Sequence, residues 1–154
     1  PADRGRLFRS RLDELEALLV DPTISPGPPP GGPPPIWLAG GRPTMAHALR
    51  LGLPFQASRL LPDELAPLAA DWFARGGGLL AHRVYVEAAS EAFGGHEVDR
   101  QAVSGTPAQI ADQFRRYRDL GVGDLSIVPG HDDASARHTV EVLVAEVIPA
   151  LDGA

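Results

Sequence analysis

Residues 36–58 read IWLAGGRPTMAHALRLGLPFQAS, and this stretch decides the fold. Its first four residues form an apolar run that ends at Gly40-Gly41, which predicts a short buried strand. A helix is predicted from Pro43 to Leu51, because Gly52 follows it as a stop signal. Residues 54–58 predict a second strand. A strand, a helix and a second strand joined by short connections are the repeating unit of a parallel sheet.

The same alternation continues to the end of the chain. Further helices are predicted at 63–75, 107–120 and 134–151, and further strands at 81–88 and 124–128. Thr106 can cap the helix that follows it, and Gln109 can complete a capping box. The polar segment 90–104 is predicted to be a loop with some helical character. The sequence therefore predicts an α/β fold with four parallel strands and about five helices.

The N-terminal part is organised differently. Leucines recur at helical spacing from Arg4 to Val20, which predicts an amphipathic helix. Residues 22–35 are rich in proline and glycine, which predicts a flexible or polyproline-like connector. A proline-rich ligand for a signalling domain is less favoured, because no basic residue flanks the prolines. We therefore expect a leading helix (1–21), a linker (22–35) and four βα units (36–152).

The composition argues against several classes of function. The net charge of −6 argues against a nucleic-acid-binding face. Cysteine is absent, which excludes disulfides and thiolate metal sites, and the histidines show no metal-binding spacing. No apolar run approaches the roughly 20 residues of a membrane helix, and the N-terminus lacks the apolar core of a signal peptide. A cytoplasmic protein without a metal site is expected.

Several segments together resemble the luciferase-like monooxygenase superfamily, whose members use FMN or a deazaflavin coenzyme. In chain order they are Arg4 to Phe8, Pro35 to Gly41, Leu51 to Pro54, Gly105 to Ala111 with Leu120 to Val128, and Glu146 to Leu151. In the family these segments cover the helix before strand five and then strands five to eight of a TIM (β/α)8 barrel. The resemblance implies that residues 1–154 form one partial-barrel domain, the C-terminal half of such a barrel. Strands one to four have no counterpart here.

The resemblance also implies a cofactor site after the first strand, at Gly40, Gly41, Arg42 and Thr44. Two glycines let the backbone approach an anion, and the amides at the start of a helix favour a phosphate. In the family the matching turn helps to hold the flavin phosphate, and Thr44 falls where a hydroxyl contact is expected. Arg42 adds charge but matches no family ligand. A plain strand-to-helix turn is the alternative interpretation.

Polar residues at two other strands are further candidates. Gln56 and Ser58 share one face of the second strand, where they can bind the flavin ring or tail, or form a satisfied polar pair inside the barrel. Arg83, Tyr85 and Glu87 share one face of the third strand. Ion pairing among them is favoured over a role for Glu87 as an acid or base.

The expected function is that of a flavin-dependent oxidoreductase of this type, or of its flavin-phosphate-binding half. No catalytic residue is assigned, and His131, after the last strand, is expected in a capping and loop role. Because half a barrel leaves two strand edges open, we expect a separate N-terminal half or self-association. The alternative is a non-catalytic remnant or accessory subunit that keeps the half-barrel for protein association. A third hypothesis is a small α/β domain that binds another phosphorylated ligand.

Overall fold

The computed structural model of the chain describes residues 2–24, 35–89 and 102–152. The chain divides into two compact units, residues 1–36 and 37–154. The first unit contains helix α1 (Ala2–Val20), and this confirms the leading helix predicted from the leucine spacing. Most of the connector predicted over residues 22–35 lies outside the described residues. That the chain is one partial-barrel domain stays a prediction.

The second unit alternates strands and helices. Its strands are β1 (Leu38–Ala39), β2 (Phe55–Ser58), β3 (Leu80–Ala88), β4 (Ala102–Gly105) and β5 (Val122–Pro129). Its helices are α2 (Arg42–Leu51), α3 (Pro62–Ala74), α4 (Pro107–Asp119), α5 (Asp133–Val142) and α6 (Ile148–Asp152), with a π-helical turn (Leu143–Val147) between the last two. Every predicted strand and helix is present, with small shifts of its ends.

All pairs of strands in the sheet are parallel. Strand β3 lies between β2 and β5, and β1 pairs with β2. Strand β4 also pairs with β3. The Arg59 amide donates to the Arg83 carbonyl, and the Ala89 amide donates to the Gly105 carbonyl, so β4 follows β2 along the same side of β3. The α/β fold with a parallel sheet is confirmed, and it is consistent with a partial TIM-like barrel.

Strand β4 was not predicted. Its four residues, Ala102 to Gly105, include a serine and a glycine, and neither favours a strand. The strand exists because it pairs with Tyr85 to Ala88, the last residues of β3. The rest of the polar segment, residues 90–101, lies outside the described residues, so its predicted loop and helical character stay untested.

The two faces of the sheet differ in polarity. On β3 the even-numbered side chains are buried, and among the odd-numbered ones Arg83 is exposed while Tyr85 and Glu87 are half-buried. The buried face packs against the helices, whose largest core residues are Met45, Leu65, Trp72, Ile110 and Tyr117. The sheet therefore has an apolar helix-facing side and a polar side, which corresponds to the inner face of a barrel.

No helix in the described ranges is long and apolar enough to cross a membrane.

Candidate functional site

The turn after β1 brings a glycine against a hydroxyl group. Gly40 has a φ of +154°, which side chains rarely adopt, and its amide donates to the Gln56 carbonyl at 3.1 Å. A Cβ atom built on Gly40 lies 2.6 Å from the Thr44 hydroxyl oxygen, so no larger residue fits without movement of Thr44. The backbone is thus open beside the hydroxyl at the carboxyl end of β1, where ligands bind in parallel α/β folds.

The first turn of α2 has two backbone amides that can donate hydrogen bonds to a ligand. Gly41 precedes the helix, and no side chain caps this end. Pro43 has no N–H group, and the Thr44 amide already donates to the Gly41 carbonyl at 3.0 Å. Within the described residues, the amides of Gly41 and Arg42 have no hydrogen-bond partner. These two amides and the Thr44 hydroxyl are the groups that can hold a phosphate.

The positive charge of Arg42 is paired with a carboxylate. Its guanidinium donates to the Asp71 carboxylate on α3 at 3.3 Å, and Arg75 approaches the same carboxylate oxygen at 3.7 Å. The pair is solvent-exposed, so it contributes little to stability. The Asp71 carboxylate therefore offsets part of the positive charge that Arg42 was expected to bring to a phosphate site.

Gln56 and Ser58 lie on the polar face, as the alternation of the sequence predicted. The side-chain amide of Gln56 on β2 donates to the Ser126 hydroxyl of β5 at 3.3 Å. This hydrogen bond crosses β3, which lies between the two strands. The Ser58 hydroxyl accepts a hydrogen bond from Nε of Arg83 at 3.2 Å. Both residues have partners within the sheet, and their predicted role in cofactor binding remains a prediction.

The expected ion pairing among Arg83, Tyr85 and Glu87 is wrong. Arg83 bonds to Ser58, whereas the Glu87 carboxylate lies 3.1 Å from Nδ1 of His131. Glu87 and His131, which the sequence analysis considered separately, are therefore in contact in the structure. The alternation of β3 places Glu87 beyond Arg83 toward the carboxyl end, and this end faces the loop that follows β5.

His131 is surrounded by groups that begin helix α5. Its Nε2 lies 3.3 Å from the Asp132 carboxylate, and the Ser135 hydroxyl lies 3.3 Å from its Nδ1. Asp132 caps the helix, since its carboxylate accepts the Ser135 amide at 2.8 Å, and this hydrogen bond lowers the Asp132 pKa. Glu87 and Ser135 approach the same ring nitrogen, so the imidazole cannot relay a proton between them as in a hydrolase triad. The predicted capping role of this loop is supported.

The sequence prediction missed a buried polar cluster below the end of β2. The Leu60 carbonyl oxygen accepts two hydrogen bonds, one from Nε2 of His82 at 2.9 Å and one from the Tyr117 hydroxyl at 2.8 Å. Both rings are buried, with their centroids 5.0 Å apart. Burial lowers the pKa of His82 and raises the pKa of Tyr117, so both side chains are neutral.

This cluster holds Leu60, the residue after Arg59, and so restricts the backbone of Arg59. Arg59 has a φ of +61°, and it is the non-glycine residue with a positive φ in the described part of the chain. Its guanidinium carbon lies 5.1 Å from the centre of the Tyr85 ring. The alternation of apolar residues gave no signal for Arg59, because it lies outside the strand and its geometry depends on Leu60.

Comparison with known proteins identifies the fold. No protein-family model and no curated protein sequence matches the chain. Among solved structures, apo-MsnO8 is similar with a TM-score of 0.69 and 18% identity, over 94% of this chain and 60% of that one. Monooxygenase RslO1 from Streptomyces bottropensis is similar with a TM-score of 0.57 and 12% identity, over 82% of this chain and 49% of that one. The chain therefore shares the fold of these proteins and spans only 60% and 49% of their lengths.

Proposed function

We propose that the chain is the flavin-phosphate-binding half of a flavin-dependent oxidoreductase of the luciferase-like monooxygenase type. The observation that carries the proposal is the open backbone at Gly40 beside the Thr44 hydroxyl, at the carboxyl end of β1. Two amides without partners in the described residues, those of Gly41 and Arg42, begin the next helix. A phosphate dianion fits such a set of donors, because the helix dipole adds to their hydrogen bonds.

The similarity of fold to a monooxygenase supports the oxidative part of the proposal. A bound FMN or deazaflavin coenzyme supplies the hydride or oxygen chemistry. The chain itself binds and orients: the glycine turn holds the phosphate, and Gln56 and Ser58 on the neighbouring strand offer hydrogen bonds to the ring or tail.

Titration of the chain with FMN and with the deazaflavin coenzyme tests the proposal. Calorimetry on the wild type, on Gly40→Ala and on Thr44→Val is the measurement. Each substitution is expected to weaken binding about tenfold or more, because one fills the space beside the hydroxyl and the other removes a charge-assisted hydrogen bond. Gly78→Ala is the matched control, since a Cβ atom there meets nothing within 4 Å.

The chain can need its missing half to bind the cofactor, so the titration is repeated with an N-terminal half-barrel supplied as a separate chain. Binding of either flavin, weakened by both substitutions and not by the control, supports the proposal. Absence of binding at millimolar flavin in both settings overturns it, and so does binding that Thr44→Val leaves unchanged.

A second candidate function rests on the hydrogen bonds of the polar face. Gln56 bonds to Ser126 and Ser58 bonds to Arg83, so these side chains are satisfied without a ligand. This favours a non-catalytic scaffold that retains the half-barrel for protein association. Association with the N-terminal half in the absence of any flavin binding is the result that selects this function.

The open edges of the sheet support a protein partner for either function. In the described residues β1 pairs with β2 alone and β5 pairs with β3 alone. The backbone groups of such edges pair readily with another strand. The partner proposed here is a separate N-terminal half-barrel or, failing that, a second copy of the chain.

A further inference from the structure

Helix α1 carries apolar residues on a side that is exposed to solvent. Leu12 is buried, whereas Leu7, Leu15 and Leu18 are 57%, 44% and 43% exposed. With about 3.6 residues per turn, Leu7 and Leu18 lie roughly a third of a turn around the helix from Leu12. Leu15 lies between these two sides. A surface helix normally has one apolar side and polar residues elsewhere, so the exposed leucines mark a surface suited to association.

Two opposite charges lie between the exposed leucines. Positions 7, 11, 14 and 18 follow one another at intervals of four, three and four residues, which is the spacing of the contact positions in a coiled coil. Leu7 and Leu18 occupy the two ends of this row, and Arg11 and Glu14 occupy its middle. Arg11 donates to the Glu14 carboxylate at 2.5 Å, so the two charged side chains leave the helix on the same side. These four residues are called the α1 seam below.

The α1 seam matches a reversed copy of itself. When two α1 helices run antiparallel about a two-fold axis, Leu7 faces Leu18 of the second copy and Arg11 faces Glu14 of the second copy. The symmetry repeats both contacts, because each residue meets the other in both directions. A parallel pair would instead place each arginine against an arginine and each glutamate against a glutamate. Like charges that face each other are unfavourable, so the antiparallel orientation is selected.

We propose that α1 pairs with α1 of a second copy of the chain in an antiparallel two-helix contact. Charge complementarity selects this occupant, since the arginine and the glutamate of one seam meet their counterparts in the other. The leucines at both ends lose exposed apolar surface on pairing, and Leu15 beside the seam adds to it. Charged residues at contact positions fix register and orientation at a cost in stability, so the contact is specific and weak.

This contact goes beyond the proposed function and does not require a flavin. It also uses a helix and not the edges of the sheet, so its test has to report on α1 alone. The chain contains no cysteine, which allows cysteines to be introduced at single chosen positions. A disulfide forms only where the two Cα atoms come within about 7 Å of each other, so it reports which positions meet.

Chains that carry Leu7→Cys and chains that carry Leu18→Cys are mixed and oxidised, with a tag on one of them to distinguish the products. The mixed disulfide is expected to exceed both same-residue disulfides about fivefold or more. The reason is that antiparallel pairing brings position 7 to position 18, whereas two copies of either position then lie about 16 Å apart. Arg9→Cys mixed with Asp13→Cys is the control, because both residues are exposed on the opposite side of α1.

Charge reversal within the same cysteine pair tests the role of Arg11 and Glu14. Arg11→Glu or Glu14→Arg, present in both chains, is expected to lower the yield of the mixed disulfide about fivefold, because an attraction that occurs twice becomes a repulsion. The two reversals combined in each chain restore opposite charges and are expected to restore the yield. Arg9→Glu makes the same change of charge away from the seam and leaves the yield unchanged. Circular dichroism verifies that every variant is folded.

The contact is overturned if the mixed disulfide does not exceed that of the control pair, or if the same-residue disulfides dominate, which would indicate parallel pairing. It is equally overturned if Arg9→Glu acts like Arg11→Glu, or if the combined reversal fails to restore the yield. Another occupant is identified if no mixed disulfide forms and both cysteines resist a small thiol reagent. Resistance of the chain alone means that the chain itself covers the seam, and resistance only after addition of an N-terminal half-barrel means that this half does.

Discussion

At the scale of single residues, one carbonyl oxygen organises the end of β2. Leu60 accepts hydrogen bonds from two buried rings, and this fixes the backbone of Arg59 in a conformation that its side chain disfavours. A carbonyl can only accept, so Nε2 of His82 carries the proton and donates it. The second ring nitrogen, Nδ1, is buried and makes no hydrogen bond within the described residues.

Arg59 offers a direct test of the strain. Arg59→Gly and Arg59→Ala both remove the guanidinium from Tyr85, but only glycine adopts a positive φ without a penalty. We expect Arg59→Gly to be more stable than Arg59→Ala by about 1 kcal/mol in urea unfolding. At Arg83, in the extended strand β3, Arg83→Ala is instead expected to be more stable than Arg83→Gly. Equal stabilities of the two variants at position 59 would show that the turn holds no strain.

His82 makes stability depend on pH. Its pKa lies below the ordinary value of 6.5 in the folded chain, because burial disfavours the charged ring. Well above pH 6.5 the ring is neutral in both states and the stability is complete. As pH falls from 6.5 toward the lower folded pKa, the unfolded chain takes up a proton that the folded chain does not, and stability is lost by up to about 1.4 kcal/mol per pH unit.

The measurement is the pH dependence of urea unfolding for the wild type and for His82→Gln, whose amide can donate to Leu60. We expect the variant to lose less stability than the wild type between pH 6.5 and the lower folded pKa of His82. The NMR titration of His82 in the wild type needs no variant. A midpoint at or above the value of an exposed histidine would contradict the prediction.

At the scale of elements, the connection between α3 and β3 packs closely against the side chain of Trp72. The indole N–H donates to the Gly78 carbonyl at 3.0 Å, and the ring lies 5.6 Å from that of Phe55. A Cβ atom on Gly77 would lie 2.2 Å from the indole, so the glycine is required by close approach. The connection therefore positions the start of β3, the central strand of the polar face.

Gly77→Ala is expected to destabilise the chain by about 1–3 kcal/mol, because the methyl group forces the buried indole to move. Gly78→Ala is the neighbouring control, where a Cβ atom meets nothing and the change is expected to stay within about 0.5 kcal/mol. Urea unfolding followed by tryptophan fluorescence gives both values. Similar urea midpoints for the two variants would mean that the indole moves without loss of stability.

At the scale of the whole molecule, the chain has the fold of larger proteins but not their length. The similarity to apo-MsnO8 extends over 94% of this chain and 60% of that one, and in the described residues β1 pairs only with β2 and β5 only with β3. A closed barrel has no such edges and encloses its inner face, whereas an open sheet exposes both. Association is the expected consequence.

Light scattering after size exclusion is expected to give a mass above that of one chain at micromolar concentration, decreasing on dilution. Ile127→Lys places a charge on the edge strand β5 and is expected to shift the distribution toward the monomer. Circular dichroism verifies that the variant is folded. A stable monomer of the wild type at the same concentration would contradict the prediction.

By itself the sequence determined the alternation of strands and helices, except for β4, and the polar face of the sheet. These features depend on residues close together in the chain: the capping box of Thr106 and Gln109 formed as predicted, and so did the alternation in β3. The glycine turn was also readable, because a turn of this kind needs a specific residue type at a fixed place.

Only the tertiary structure decided which side chains meet. The Leu60 carbonyl bonds to rings 22 and 57 residues away, and Glu87 meets His131 across 44 residues. Strand β4 likewise exists through its pairing with the end of β3. Local propensity carries no information about such distant contacts, because packing of the whole sheet and its helices selects them.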